Sequence, residues 1–319
     1  MRFAEPLVEC FWKAQIRALR ACPPLQDIVI RNSLGTADSP KGWVKTFLHM
    51  SVQAPRAVFS HWCNQRENRV ELPRVFIPIT MRCTLNCDKC VMHLADLKSR
   101  RNIPVSAVID DIRALLACVD SIYHLFLAGG EPFLHPQLDE IIRFSAQSGK
   151  AKDISVLTNG TVIPDEGMLT ALREAQVSVH ISRYRPSLQP NIEKLTSILK
   201  ENGIHYVFAG NTFWYDTSGF GQRQEGDAKH RFSMCYELGL CYFRGKLHLC
   251  AESAMLLEEG LIPDCKEDYI NVRAAGCAAF RAQVQTLPKR SASACAYCLG
   301  HTYKSPRVPV AEQRKREAL

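Results

Sequence analysis

Val75-Phe76-Ile77-Pro78-Ile79 runs almost at once into Met81-Arg82-Cys83-Thr84-Leu85-Asn86-Cys87-Asp88-Lys89-Cys90. The first part is a short apolar run and reads as a buried strand. Working outward, the same order of elements returns. Val105 to Val119 spells a helix, with Ser106 as its cap and Val108, Ile109, Ile112, Leu115, Leu116 and Val119 on one face. A strand over 122–127, a helix over 138–146, a strand over 154–157 and a helix over 165–175 follow. A strand over 177–181, a helix over 192–200 and a strand over 205–209 complete the series. Strands alternating with helices at this spacing imply right-handed βαβ units and a parallel sheet.

Each strand ends in unusual residues: Met81-Arg82-Cys83, Gly129-Gly130-Glu131-Pro132, Thr158-Asn159-Gly160, Ser182-Arg183-Tyr184 and Gly210-Asn211. Parallel α/β folds build their sites at the C-terminal ends of strands, so these segments point to one mouth.

The flanks read differently. Residues 1–72 are expected to be mainly helical. Leu7, Val8, Phe11, Trp12, Ile16 and Leu19 recur at helical spacing, and Pro23-Pro24 ends that helix. A second helical stretch is expected over 44–62. This region reads as a packing appendage or lid. After about residue 230 the rhythm stops. Cys241 to Cys250 reads as a hairpin about Arg244-Gly245, followed by a short helix from Glu252, a loop-rich stretch and Cys295-Ala296-Tyr297-Cys298.

The chain has 319 residues, 46% apolar, with a formal net charge of +8. That length fits one large catalytic domain with additions. No stretch approaches the roughly 18 consecutive apolar residues of a membrane span. Met1 to Pro6 shows no apolar signal core. The expectation is a cytoplasmic protein with no membrane partner. Positive charge is spread out. Arg314-Lys315-Arg316 reads as a solvated run and Arg100-Arg101 as a small basic spot, so charge does not indicate nucleic-acid binding.

Fourteen cysteines are many for such a chain. A reducing compartment disfavours disulfides, so clustered cysteines point to metal or catalysis. Cys83, Cys87 and Cys90 form C-x3-C-x2-C, and seven more lie from Cys235 onward. Thiolates ligate iron–sulfur clusters and structural zinc. Structural zinc takes four protein ligands, and His93 is the residue that could complete such a site here. Three cysteines on a four-iron cluster leave one iron open.

The order of motifs resembles the radical S-adenosylmethionine superfamily over roughly residues 74–230. C-x3-C-x2-C is that family's hallmark, and Gly129-Gly130-Glu131-Pro132 matches its GGEP motif one strand and one helix later. The resemblance implies a [4Fe–4S] cluster on Cys83, Cys87 and Cys90, whose open iron takes S-adenosylmethionine. Cleavage of that cofactor gives a 5′-deoxyadenosyl radical that takes hydrogen from substrate. It further implies that Gly129, Gly130, Glu131 and Pro132 meet the methionyl end, with Glu131 accepting from its ammonium group. Asn159 would meet the ribose, and Ser182 and Arg183 the carboxylate. Many relatives carry an aromatic residue where this chain has Lys89.

Cys235-x9-Gly245-x4-Cys250 and Cys295-x2-Cys298 resemble the Twitch form of the SPASM auxiliary-cluster domain. This implies a second [4Fe–4S] cluster held by four of Cys235, Cys241, Cys250, Cys295 and Cys298. A zinc ribbon is the alternative. Cys265 and Cys277 read as structural thiols.

The fold class expected is α/β. It is a partial (β/α)6 TIM-like barrel over 73–230, with a helical extension over 1–72 and a small cysteine-rich domain over 231–319. The activity expected is oxidation of a small polar molecule such as a sugar or aminocyclitol, with a low-potential donor such as flavodoxin or ferredoxin. Modification of a ribosomally made peptide and a non-catalytic metal-binding scaffold are the alternatives. Asn211, Phe213, Trp214, Tyr215 and Asp216 are candidate substrate contacts. Tyr184 and Asp216 are the candidate catalytic residues.

Overall fold

The computed structural model describes residues 5–33, 58, 61, 64, 67–97, 99–210, 213–217, 219, 221–302 and 304–314. The helical stretch expected over 44–62 and the candidate Asn211 fall largely or wholly outside the described residues.

The alternation of apolar runs becomes β1 (Glu71–Thr80), α3 (Val105–Cys118), β2 (Ser121–Gly129), α4 (Leu138–Gln147), β3 (Ile154–Thr158), α5 (Glu166–Glu174), β4 (Ser178–Ser182), α6 (Ile192–Glu201) and β5 (Tyr206–Ala209). β1 to β5 pair in parallel, each with its sequence neighbour. Their side chains divide by parity, as a pleated strand requires. Val75, Ile77, Leu125, Leu127, Val156, Val179 and Ile181 enter one continuous core with Ile112, Leu115, Ile141, Leu172 and Leu195 of the helices. Each such fully buried side chain contributes about 1.5–3 kcal/mol. The opposite face of the strands is more polar. Phe76 stacks on Phe126, and His124 bonds to Ser155 Oγ at 2.7 Å, which in turn meets Ser178 Oγ.

Local signals set the helix ends in part. Asp165 caps α5, its side chain accepting from Met168 N at 2.9 Å. Ser106 is not a cap. α3 begins at Val105 behind Pro104, with no side-chain capping bond. Pro23-Pro24 does end α1 (Glu5–Ala21), but the same prolines open α2 (Pro23–Ser33). Proline's fixed φ suits a first helical turn, whose N–H groups lack partners anyway.

Later residues join the same sheet instead of forming a sheet of their own. β7 (Leu240–Phe243) pairs in parallel with the free edge of β1. β8 (Lys246–His248) and β9 (Tyr269–Asn271) continue antiparallel, giving the order β5-β4-β3-β2-β1-β7-β8-β9. The result is an α/β fold around a mostly parallel sheet, a partial TIM-like arrangement. All four residues of β7 are buried. Leu240, Tyr242, Leu247 and Ile270 share the main core, so the apolar pattern carries it across residue 230. β6 (Phe213–Tyr215) pairs with β10 (Arg307–Pro309) in a separate two-stranded ribbon. α7 (Ala228–Met234), α8 (Ala251–Glu258) and α9 (Val272–Val284) complete the described elements. Cys277, expected to be a structural thiol, forms a disulfide with Cys118, tying α9 to α3.

Candidate functional site

Cys83, Cys87 and Cys90 follow the C-terminal end of β1. All three pack against one small apolar cluster with Leu85, Ala311, Tyr184 and Trp214. Burial pushes all three thiols up, Cys83 to about 11. N–H donors oppose this. Leu85 N lies 3.4 Å from Cys83 Sγ, and Gln313 Nε2 lies 3.2 Å from Cys87 Sγ. Sulfur atoms ringed by N–H groups are suited to carry negative charge.

The glycines of Gly129-Gly130-Glu131-Pro132 meet the protein's own backbone. A Cβ on Gly130 would stand 2.0 Å from the Arg82 carbonyl oxygen. Gly130 N donates to Thr80 O at 2.8 Å and Glu131 N to Arg82 O at 2.7 Å. The turn therefore buttresses the start of the cysteine loop. Glu131 is fully buried, and its carboxylate accepts from Thr158 Oγ1 (2.8 Å), Asn159 N (2.7 Å) and Phe133 N (3.1 Å). Burial raises its pKa to about 7 against those three bonds. Through these bonds it clamps the ends of β2 and β3 together. Pro132 opens the short turn that follows.

Asn159 turns toward the cysteine loop, its Nδ2 lying 3.0 Å from Thr84 Oγ1 and 3.5 Å from Cys83 Sγ. Ser182 ends β4, and the exposed Arg183 lies over Phe208, 5.6 Å from its ring centre. Gln189 joins these loops and was not foreseen. It is buried, donates to Asn159 O and Ser182 O at 2.7 Å each, and accepts from Tyr184 N at 3.0 Å. Nothing in its local sequence marks it, because all three partners lie on other loops or across a turn.

Tyr184 meets Trp214 edge-on at 6.0 Å. Burial pushes its phenol well up. Asp216 pairs with Lys89 at 3.1 Å. Lys89, just before the third cysteine, is thus tied to the end of β6.

Cys235, Cys250, Cys295 and Cys298 line a second, separate cavity of about 40 Å³. Three carry the N–H pattern seen at Cys83: Glu237 N at 3.4 Å from Cys235 Sγ, Ser253 N at 3.4 Å from Cys250 Sγ, and Gly300 N at 3.2 Å from Cys298 Sγ. Burial pushes all four thiols up, Cys295 to about 11. Arg20 of α1 also lines this cavity, bonded to Cys235 O at 2.9 Å and stacked on Phe232 at 3.8 Å. Arg231 Nε reaches Cys295 O at 3.1 Å. Its Nη2 and Ser253 Oγ are buried in the wall without a hydrogen-bond partner among the described residues.

Cys241 does not line this cavity. It is fully buried on β7 among Met81, Met92, Leu94 and Met255. Alternation along the strand turns it away from the main core that Leu240 and Tyr242 enter. His93 is also engaged elsewhere. Its backbone N donates to Cys90 O at 2.8 Å, and its buried ring lies 3.1 Å from Glu252, which lines the second cavity. Among the described residues no three His, Cys, Asp or Glu side chains converge on a single-ion site. The fit to a cluster is one of donor chemistry and shared walls.

The basic spots also have partners. Arg100 donates to Asn86 Oδ1 at 2.5 Å, and Arg314 pairs with Asp88 and, at 2.5 Å, with Asp96. Arg314, read as part of a solvated run, is instead bound to the first cysteine loop. No helix among the described residues is long and apolar enough to cross a membrane.

The sequence description of the Radical SAM superfamily matches residues 77–189, from within β1 to just past β4. Residues 77–189 carry the radical SAM domain pattern, and the cofactors of that class of enzymes are a [4Fe–4S] cluster and S-adenosylmethionine. Over 97 residues the chain is 33% identical to the 7-carboxy-7-deazaguanine synthase of Aquifex aeolicus (strain VF5), covering 30% of this chain and 41% of that protein. It is 30% identical over 120 residues to the GTP 3′,8-cyclase of Stenotrophomonas maltophilia (strain R551-3), covering 35% of this chain and 36% of that one. The chain thus spans less than half the length of these curated relatives. Among solved structures, BtrN in complex with AdoMet and 2-DOIA is similar with a TM-score of 0.44 at 14% identity, covering 76% of this chain and 97% of that one. Native anSMEcpe with bound AdoMet has a TM-score of 0.35 at 19% identity, covering 43% of this chain and 42% of that one.

Proposed function

We propose that this chain is a radical S-adenosylmethionine oxidoreductase acting on a small polar molecule such as a sugar or aminocyclitol. Cys83, Cys87 and Cys90 would hold the first cluster, and Cys235, Cys250, Cys295 and Cys298 the second. Bound there, the first cluster would supply an electron to S-adenosylmethionine, yielding the 5′-deoxyadenosyl radical that takes hydrogen from substrate. The carrying observation is the contrast in donor number. Three thiols gather after the end of β1 and four line one cavity. A centre with four protein thiolates has no position left for substrate, which suits it to accept an electron. The packed link Cys90–His93–Glu252 joins the two sites and supports such a transfer.

The chain's own residues would do the rest. Glu131, Asn159 and Gln189 hold the strand-end loops in register around the cysteine loop. Tyr184 and Trp214 give the mouth an apolar wall beside it. Asp216, held by Lys89, would accept the proton that leaves when an alcohol becomes a ketone. A flavodoxin or ferredoxin would supply electrons, and the reading places the enzyme in the cytoplasm.

The test is anaerobic reconstitution with iron and sulfide, iron counted per chain, and 5′-deoxyadenosine measured after reduction with S-adenosylmethionine present. About eight irons and nucleoside release support two clusters. About four irons with release leave the first site intact and assign zinc to the second. Absence of release from a chain with an intact first cluster overturns the reading. Amino sugars and peptides screened side by side separate the substrate classes.

A further inference from the structure

A segment far along the chain is laced to the first cysteine loop. After β10, Ala311 is fully buried against Leu85 and Cys87. Asp88 N donates to Glu312 O at 2.7 Å. Gln313 bridges to Cys87 in antiparallel fashion, and Arg314 N donates to Asn86 O at 2.9 Å. The Arg314 guanidinium then grips Asp88 and Asp96. The cysteine loop has no helix or strand of its own, so its shape depends on such external bonds.

The Gln313 amide is oriented by its partners. Its Oε1 accepts from Asn86 N at 2.7 Å. Its Nε2 therefore faces Ala311 O at 2.8 Å and Cys87 Sγ at 3.2 Å. The reverse orientation would set a donor against Asn86 N and acceptors against an oxygen and a sulfur.

We propose that Ala311–Arg314 is a strap that shapes the first cysteine loop, and that Gln313 is a positioning residue whose N–H donation to Cys87 Sγ raises the potential of the centre bound there. This rests on the reading of Cys83, Cys87 and Cys90 as cluster ligands. A hydrogen bond to a ligating sulfur withdraws electron density and stabilises the reduced, more negative centre. Gln313→Leu removes the donor. Gln313→Glu keeps the size and the acceptor for Asn86 N but sets a carboxylate oxygen toward the sulfur.

The experiment is a redox titration of the anaerobically reconstituted full chain without S-adenosylmethionine, followed by electron paramagnetic resonance. Gln313→Leu should lower the reduced-to-oxidised ratio of the first centre about tenfold at a fixed potential, a shift of ~59 mV to lower potential. Gln313→Glu should lower it further. The second centre, identified as the signal lost in a Cys250→Ser background, should keep its midpoint in the Gln313 variants. An unchanged first midpoint in Gln313→Glu overturns the proposal, and so do equal shifts of both centres, which mark general loosening. Loss of the first cluster in Gln313→Leu, with the second retained, would support the strap and leave Gln313→Glu to decide the donor role. Failure of the ligand reading looks different, because Cys87→Ser would then leave the first signal in place.

Discussion

The two cysteine regions differ in how the chain builds them. Cys83, Cys87 and Cys90 lie within eight residues, and their loop is shaped by a strap arriving from more than 220 residues away. Cys235, Cys250, Cys295 and Cys298 lie far apart in sequence and are gathered by the fold, with Arg20 of α1 and Arg231 in the wall. A compact three-thiol motif leaves room for a cofactor beside the metal. A dispersed four-thiol set can supply all four ligands of the centre it would hold. Negative charge brought to the second site on metal binding would meet two guanidinium groups, a compensation the buried interior requires.

The largest effect that can break this contrast is expected from Cys87→Ser. 5′-Deoxyadenosine release should fall to background while the second centre keeps about four irons, read by iron assay and spectroscopy. Next comes the pair Cys250→Ser and Cys241→Ser. The first should lose about half the iron and substrate turnover but keep cofactor cleavage. The second should keep both centres, because Cys241 sits in an apolar cluster off the cavity. Equal iron loss in the two variants would put Cys241 back among the ligands.

Glu131 sharpens the contrast through pH, because it clamps only the first region. Its folded pKa of about 7 lies above the ordinary 4.5. The folded chain therefore binds more protons than the unfolded chain between those values. Its contribution to stability is greatest below about pH 4.5 and is lost as pH rises through 7, by at most about 3 kcal/mol. Urea unfolding of the metal-free chain from pH 5 to 8 should show this loss, and Glu131→Gln should flatten it. The smallest effect is at Arg20. Arg20→Gln should speed metal release from the second site to a chelator about tenfold, with the first site unaffected and Arg20→Lys close to the parent. Equal release in Arg20→Gln and in Arg17→Gln, exposed on the same helix, would show that charge at the cavity wall does not matter.

The sequence by itself determined the βα order, the boundaries of β1 to β5 to within a few residues, and the placement of Cys83–Cys90 and Gly129–Pro132 at neighbouring strand ends. Those features are local, since hydrophobic period and turn chemistry are written in adjacent residues. Register and alternation then follow from the pleat. Only the tertiary structure decided that β7 extends the sheet at β1, that Cys235 and not Cys241 faces the cavity, and that Pro23-Pro24 begins a helix as well as ending one. It alone showed Gln189, Gln313, Arg20 and Arg314 at the sites. Trp12, Arg20 and Gln26 each bond to carbonyl groups more than 200 residues away. Such contacts leave no period or spacing in the sequence, because the energy that forms them comes from packing between elements whose own signals are already complete.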